Sequence, residues 1–241
     1  MPNDSNDLSH TTGSKNQEPP GQAGFSITPG QKRCLFILLG VVLFLRVWIA
    51  VVVPFTDTTE SRYAEIARKM AETGDWVTPQ FDYGVPFWGK PPLHTWISAS
   101  GIKLFGATQF GARSFILLTA VLLSYWLYRW VKREKGRAYA LAGVVVLVTS
   151  GLYFLAAATV MTDFIMLSGT AVCMTCFWDA MNHPGKRRLS GYLFFVGLAI
   201  GLLAKGPAAF VLTAIPIGGW VLWQNKWSAT WKNLPWLTGT L

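Results

Sequence analysis

The sequence has few charged residues. Asp, Glu, Lys and Arg make up 14% of the 241 residues, whereas soluble domains carry about 25%. Hydrophobic residues account for 51%, and they gather in runs too apolar for helices in contact with water, such as Cys34–Pro54. The composition therefore excludes an ordinary soluble domain and predicts an integral membrane protein that crosses the bilayer several times.

Cysteine is also scarce, with three residues in the chain. Cys34, Cys173 and Cys176 all fall within apolar runs, so no disulfide framework is implied. Cys173 and Cys176 form a C-x-x-C pair. Inside a membrane helix this pair indicates two small buried residues on one face rather than a redox or metal site. The sequence also contains no phosphate-binding glycine loop and no nucleotide fingerprint.

Acidic residues are fewer than basic ones: 12 Asp and Glu against 21 Lys and Arg leave a net charge of +9. A basic excess often indicates nucleic-acid binding. Here the cations lie between the apolar runs, where Lys and Arg set the orientation of membrane helices. We therefore expect membrane lipid and no nucleic acid as a partner. Lys32 and Arg33 precede the first run, which predicts a cytoplasmic N-terminus.

The apolar runs divide the chain into six predicted membrane spans, and the predicted fold class is all-α integral membrane. The spans are expected at Cys34–Pro54, Arg113–Tyr128, Ala138–Ala158, Phe164–Ala180, Leu189–Ala204 and Ala208–Trp223. Residues 1–30 are rich in Ser, Asn, Gln, Gly and Pro and are predicted to form a disordered cytoplasmic tail. Residues 31–241 form one predicted transmembrane domain.

A long loop, residues 55–110, separates the first two spans on the predicted outer side. It holds half of the acidic residues of the chain: Asp57, Glu60, Glu65, Glu72, Asp75 and Asp82. Its aromatic residues and helical periodicity argue against disorder, so we predict short amphipathic helices on the outer membrane surface. Long loops in compact proteins are often functional, and we expect a functional site here.

Two motifs in this loop suit chemistry at a membrane surface. Asp57-x-x-Glu60 fits a capping box at the start of a helix that Gly74 ends. It also fits a carboxylate that activates a hydroxyl or organises a cation, and the two interpretations are compatible. Lys90, flanked by aromatic residues and followed by two prolines, is either a solvated interfacial lysine or a preorganised ammonium for an anionic group. His94 is predicted to be an interfacial hydrogen-bonding residue.

Two later turns on the outer side carry further candidates. Asp163 is either a helix cap together with Thr162 or a functional carboxylate, and Lys205 is either a snorkelling lysine or part of the same site. The topology brings five candidates to one outer face, namely Asp57, Glu60, Lys90, Asp163 and Lys205. Lysines there suit a phosphate, and carboxylates suit a hydroxyl or a metal. Arg46 lies deep in the first span and is expected to face a polar partner that the sequence does not name.

The order of these motifs resembles that of the protein-mannosyltransferase-related membrane glycosyltransferases. The shared motifs run D-x-x-E-x-R-Y-A-E-I-A-R-x-M, G-D-W-V-T-P, F-W-G-K-P-P-L-x-x-W, L-F-G and A-R-S-F, and the resemblance covers about residues 35–225. The nearest branch is the aminoarabinose-transferase-like one of bacteria. The resemblance implies a GT-C fold. It also implies sugar transfer from a polyprenyl-phosphate carrier to a lipid, glycan or protein acceptor, at the outer face of the cell (inner) membrane.

The resemblance also implies roles for individual residues. The positions that match catalytic acids are Asp57, Glu60 and Asp163. The positions that match substrate-binding residues are Arg62, Tyr63, Lys90 and Lys205. Lys90 corresponds to the lysine that holds the carrier phosphate. No metal ligand is assigned, because Gly89 stands where many relatives have a glutamate, and a divalent cation stays open as the only candidate cofactor.

Members of this family usually have more spans and a soluble outer domain. We therefore expect the N-terminal half of such an enzyme, as a fragment or a truncated gene product. The alternative is a non-catalytic membrane protein, such as a scaffold or a transporter half. A transporter places its ionisable residues near the middle of the membrane, whereas here they gather at one face, which favours the enzyme.

Overall fold

The computed structural model describes residues 25–239. Most of the predicted tail, residues 1–24, lies outside the described residues. The first helix begins within the remainder of that tail because Thr28 caps it. The Thr28 hydroxyl accepts from the backbone N–H of Gln31 at 3.3 Å, and the Gln31 side chain accepts from the backbone N–H of Thr28 at 2.9 Å. Pro29 then occupies the first helical position, where its missing N–H is tolerated.

The described residues are mostly helical, as the all-α prediction requires. The helices are α1 (Pro29–Val52), α2 (Thr58–Thr73), α3 (Leu93–Phe105), α4 (Gln109–Lys135), α5 (Arg137–Thr149), α6 (Gly151–Ala156), α7 (Thr162–Asn182), α8 (Arg187–Lys205), α9 (Pro207–Trp223), α10 (Trp227–Asn233) and α11 (Trp236–Gly239). A 3-10 turn covers Pro184–Lys186. One antiparallel hairpin, β1 (Gln80–Asp82) and β2 (Val85–Pro86), interrupts the helical pattern.

Four helical segments among the described residues are long and apolar enough to cross a membrane. They are Pro29–Val52, Gln109–Lys135, Thr162–Asn182 and Pro184–Lys205. The other two predicted spans correspond to shorter apolar helices, α5 and α9. The predicted span over Ala138–Ala158 is not one continuous helix. Ser150 adopts extended angles (φ −64°, ψ 132°), and the helical run breaks there into α5 and α6.

The helices leave large apolar side chains uncovered. Phe44 and Trp48 on α1 are 64% and 57% exposed, and Ile215 and Trp223 on α9 are 68% and 87% exposed. Contiguous apolar surface of this extent is unfavourable in water and matches the hydrocarbon of a bilayer. The chain is a multi-pass membrane protein.

Helices α7 and α8 pack closely along a stripe of glycines. A Cβ added to Gly169 would lie 2.6 Å from the backbone of both Gly197 and Gly201, so the two backbones touch as in small-residue contacts of membrane helices. On the same helix Cys173 and Cys176 are free and buried. The prediction of two small buried residues is confirmed.

The first long loop folds onto one end of the bundle. Helix α2 buries Tyr63, Ile66 and Met70 in a cluster with residues of α3, α4 and α7, including Ile116 and Phe164. Helices α2 and α3 are therefore present in this loop, as predicted, and α2 packs its apolar face against the bundle. The hairpin between them is not predicted by the sequence, because its strands are too short to show an alternating pattern.

Candidate functional site

The start of α2 holds Asp57 at the exposed surface. Its Oδ1 accepts from the backbone N–H groups of Thr59 (2.6 Å) and Glu60 (3.1 Å). These two bonds hold the pKa of Asp57 below its usual range, because they stabilise the carboxylate form. The bond from the Glu60 N–H has the larger effect. Asp57 is therefore a fixed anion, and Gly74 ends the same helix in the left-handed region (φ 72°), as predicted.

Glu60 does not complete the predicted capping box, which is a correction to that interpretation. Its side chain is buried and accepts two bonds of 2.8 Å, from Nε and Nη2 of Arg113. The backbone N–H of Val160 donates a third bond of 3.1 Å to Glu60. Arg113 also donates to the carbonyl of Val53 at 2.6 Å. A buried arginine is the stronger partner for a buried carboxylate, so Glu60 turns inward rather than back to its own helix.

The Glu60–Arg113 pair joins four parts of the chain. Glu60 lies on α2, Arg113 on α4, Val53 ends α1, and Val160 precedes α7. Asp57 lies one helical turn before Glu60, so its position depends on this buried pair. Sequence reasoning did not identify the partnership. The sequence did contain a signal for it. Arg113, within A-R-S-F, is a charged residue at the apolar beginning of a span, and such a residue usually has a partner inside the protein.

Tyr63 lies at the centre of the candidate site. Its ring packs edge-on against His94 (4.7 Å between centroids) and Phe87 (6.2 Å). Burial raises the pKa of Tyr63, and the charges of Arg62, Asp163 and Lys205 also act on it. These three charged residues are among those that the sequence singled out. Arg62, its neighbour in the chain, is exposed.

Asp163 and Lys205 form an ion pair between the start of α7 and the end of α8. The alternative of a cap by Asp163 is wrong, because Met161 occupies the cap position and no side chain bonds the first turn. The Lys205 ammonium contacts the Asp163 carboxylate, so Lys205 has an ion-pair partner within the protein. The structure therefore brings together two residues that are 42 positions apart.

The Lys90 turn packs beside this ion pair. The position of a Cβ on Gly206, the residue after Lys205, lies 3.9 Å from the Pro91 ring. Gly206 has a φ of +74°, which disfavours any other residue. Lys90 is half-buried and forms no ion pair with residues 25–239. Its ammonium is therefore available to an anion.

His94 is buried at 1% exposure, so the prediction of an interfacial residue is wrong. The ring is covered by Tyr63, and Thr95 Oγ1 lies 3.3 Å from its Nε2. Burial lowers the pKa of His94 from the ordinary 6.5 to about 4, and the charge of Lys90 adds to this shift. His94 is therefore neutral at physiological pH, and its ring packs against that of Tyr63.

The stability of the protein is expected to fall as the pH drops from 6.5 towards 4. In that range the unfolded chain binds a proton at His94 and the folded chain does not, so the free energy of unfolding decreases by up to about 1.4 kcal/mol per pH unit. His94→Phe should flatten this part of the profile in thermal unfolding of the purified protein. His183→Phe, which leaves His94 in place, should keep the slope. Equal slopes for His94→Phe and the wild type would contradict the assignment.

The deep residue Arg46 has its polar partner in α6. Its Nη2 donates to the Leu155 carbonyl at 3.1 Å, and its guanidinium lies 4.8 Å from the centre of the Phe154 ring. The break after α5 brings these groups to Arg46. The sequence could not name the partner because it is a backbone carbonyl.

A second acidic cluster lies at the opposite end of the bundle. Ligand atoms of Glu134, Asp179 and His183 lie within 4.8 Å of one another. Arg133 pairs with both Glu134 and Asp179, and His183 Nε2 lies 2.8 Å from Glu134. These carboxylates have protein partners, so the group is a weak metal site and is remote from Asp57.

The Asp57 end of the bundle therefore offers a defined set of charges. It has three cations in Arg62, Lys90 and Lys205, an exposed carboxylate in Asp57 and a phenol in Tyr63. Cations can bind a phosphate, and a fixed exposed carboxylate can orient or deprotonate a hydroxyl. All seven residues singled out in the sequence lie at this end, although Glu60 faces inward.

Comparison with protein families gives one match over most of the chain. The model for dolichyl-phosphate-mannose-protein mannosyltransferases matches residues 33–239. An undecaprenyl phosphate-alpha-4-amino-4-deoxy-L-arabinose arabinosyl transferase of Edwardsiella ictaluri is 31% identical over 194 residues, covering 74% of this chain and 35% of the relative. The enzyme of the same name from Aeromonas salmonicida is 33% identical, over 72% of this chain and 32% of the relative. The chain spans about a third of the length of these relatives.

Two solved structures share the fold. ArnT from Cupriavidus metallidurans bound to undecaprenyl phosphate superposes with a TM-score of 0.76 at 24% identity, over 88% of this chain and 39% of that one. The apo state of the same protein gives a TM-score of 0.75. The predicted membrane fold is confirmed.

Proposed function

The chain belongs to the dolichyl-phosphate-mannose-protein mannosyltransferase family, as its motifs predicted, and from this we propose that it forms part of a membrane glycosyltransferase. The proposed reaction moves a sugar from a polyprenyl-phosphate carrier to a glycolipid, glycan or protein acceptor. The names of the relatives specify an undecaprenyl-phosphate-linked aminoarabinose. A polyprenyl-phosphate sugar is therefore the donor class proposed for this chain.

The observation that carries the proposal is the grouping of charges around Tyr63. Lys90 has no ion-pair partner among the described residues and lies beside the Asp163–Lys205 pair. In the proposed role, the Lys90 ammonium binds the phosphate of the carrier, and the exposed Arg62 assists it. The pair of Asp163 and Lys205 holds the end of the site together and fixes the surroundings of the Tyr63 phenol.

The proposed transfer is a direct displacement at the anomeric carbon. The acceptor oxygen forms a bond to that carbon, the bond from carbon to the phosphate oxygen breaks, and polyprenyl phosphate leaves. Lys90 and Arg62 would neutralise the charge that develops on the phosphate, an effect worth several kcal/mol. Asp57 would take the proton of a hydroxyl acceptor. A phosphate acceptor needs no strong base, and Asp57 would then orient the reacting groups.

In the proposed mechanism Glu60 is a positioning residue, which fixes the start of α2 and so the location of Asp57. It does not contact the substrate, because both of its carboxylate oxygens bind Arg113. A divalent cation finds poor ligands at this end of the described chain. Gly89 has no side chain, Asp163 is paired with Lys205, and Asp57 is the one acid of the proposed site without an ion pair among the described residues. No step of the proposed reaction depends on a metal.

The proposed location is the cell (inner) membrane, with the N-terminus in the cytoplasm and the Asp57 end facing outward. Lys and Arg flank the opposite ends of the spans, at the turns around residues 129–137 and 186–188, and such clusters favour the cytoplasmic side. Residues 31–241 would form the transmembrane domain, with 55–110 as its outer loop.

The proposed activity is tested by Asp57→Asn. Asparagine is as good a helix cap as aspartate, so the variant keeps the start of α2 and removes only the charge. With a hydroxyl acceptor, we expect transfer of radiolabelled sugar from polyprenyl-phosphate carriers to membrane acceptors to fall by about 100-fold or more, in the range for loss of a general base. The assay uses this chain and any longer form that the locus encodes.

Asp75→Asn provides a matched control. Asp75 also accepts two backbone N–H bonds of 3.0 Å, from Val77 and Thr78, but it lies at the far end of α2. Its replacement should leave transfer within about twofold of the wild type, since it contacts none of the proposed site. No transfer from any correctly inserted form would instead support a non-catalytic relative, such as a scaffold.

A further inference from the structure

A groove of about 670 Å³ lies between α4, α7 and α8, at the end of the bundle opposite Asp57. Its α4 wall is a single stripe, formed by Leu122, Tyr125, Trp126, Arg129, Trp130 and Arg133. These residues follow the three- and four-residue spacing of one helix face. The opposite wall includes Lys186 and Leu189.

The groove changes in chemistry along the helix axis. At the end of α4 that is farthest from Asp57, the groove is lined by Arg133, Arg129 and Lys186. Tyr125 and other aromatic side chains line its middle part, and the part nearest the centre of the bundle is aliphatic at Leu122. The distance from residue 122 to residue 133 along a helix is about 16 Å, close to half the thickness of the hydrocarbon core. The order of cation, aromatic ring and aliphatic side chain matches the phosphate, glycerol and acyl chain of one phospholipid.

The charges of the groove leave an excess of two cations. Arg133 is paired with Asp179, the one acid that lines the groove. Within residues 25–239, Arg129 and Lys186 form no ion pair with a carboxylate. Among the described residues, Arg129 donates to the Tyr125 hydroxyl at 3.3 Å, and its guanidinium lies 5.9 Å from the centre of the Tyr125 ring. Two uncompensated cations above an apolar channel are complementary to an anionic headgroup that carries acyl chains.

We infer that this groove binds one anionic phospholipid from the leaflet at that end of the bundle. The phosphate contacts Arg129 and Lys186, and an acyl chain lies along the aliphatic part beside Leu122 and Leu189. Basic pockets between membrane helices are suited to such headgroups. The site is separate from the proposed carrier site, because the two lie at opposite ends of the bundle.

The test measures lipid retained by the purified 241-residue chain. The protein is exchanged into detergent with equal amounts of phosphatidylglycerol and phosphatidylcholine, and bound lipid is counted by native mass spectrometry. We expect one phosphatidylglycerol per chain and a preference of about tenfold or more over phosphatidylcholine. Arg129→Gln combined with Lys186→Gln should reduce phosphatidylglycerol binding by about 25-fold, because each cation near the headgroup contributes about fivefold.

The matched control removes two positive charges from the same end of the bundle as the groove. Lys132→Gln combined with Arg188→Gln changes two cations that do not line the groove, and it should leave binding within about twofold. Leu122→Trp keeps all charges but fills the aliphatic part, and it should also reduce binding. Equal loss in the control pair, or unchanged binding in Leu122→Trp, would overturn the inference. Displacement by inorganic phosphate alone would show a site for a free anion and would overturn it as well.

Discussion

Replacing Glu60 with glutamine is expected to lower the free energy of unfolding by about 3–5 kcal/mol, the range for breaking a buried ion pair. The loss leaves the Arg113 guanidinium charged and buried without its counter-ion. It also weakens the contacts that join α1, α2, α4 and the segment before α7, since Val53 and Val160 bind the same pair. Unfolding of the purified protein in mixed micelles, followed by circular dichroism, measures the change.

Glu65→Gln is the matched control for Glu60. Glu65 lies on the same helix and pairs with Arg68 at 2.6 Å, but both side chains are partly exposed, at 44% and 33%. Exposed pairs contribute about 0–1 kcal/mol, so the control should remain close to the wild type. A similarly small change for Glu60→Gln would show that the Arg113 pair does not hold the loop of residues 55–110 in place.

Replacing Lys90 with glutamine is expected to weaken binding of polyprenyl phosphate by about 30- to 150-fold, if the proposed role in carrier binding is correct. Glutamine keeps a side chain of similar length but has no charge. Loss of one charge-assisted contact to a phosphate costs about 2–3 kcal/mol, which corresponds to that change in Kd. Binding of a fluorescent short-chain polyprenyl phosphate in micelles measures it.

Lys103→Gln tests whether the effect is specific to Lys90. Lys103 is an exposed lysine in the last turn of α3, within the same loop of residues 55–110, and its replacement changes the net charge equally. It should alter the Kd by less than about twofold. If both variants weaken binding to the same degree, the carrier senses the general charge of the loop, and the specific role of Lys90 is wrong.

Several features of the fold follow from local sequence. The spans are visible because about 20 consecutive apolar residues leave few alternatives to a membrane helix. The start of α2 at Asp57 and its end at Gly74 follow from capping chemistry, and both are confirmed. The family follows from the ordered motifs of the outer loop, and the family match over residues 33–239 confirms it.

Other features depend on partners that are distant in the chain. Glu60 has a capping-box spacing, yet Arg113, 53 residues later, binds it instead. Asp163 fits a local role as a helix cap, but it binds Lys205, 42 residues later, instead. In each case a charged partner forms a stronger contact than the local alternative, and spacing within one helix cannot reveal that partner.

The sequence by itself determined that this chain is a multi-pass helical membrane protein with an ordered, charged loop at one end, because hydropathy and helix caps act within a few residues. Only the tertiary structure decided which charged residues remain available. It buries Glu60 against Arg113, pairs Asp163 with Lys205, and leaves Lys90 without an ion-pair partner among residues 25–239. The physical reason is that an opposite charge brought close by packing is a stronger partner for a charged group than its local alternatives, and packing joins residues that the sequence separates.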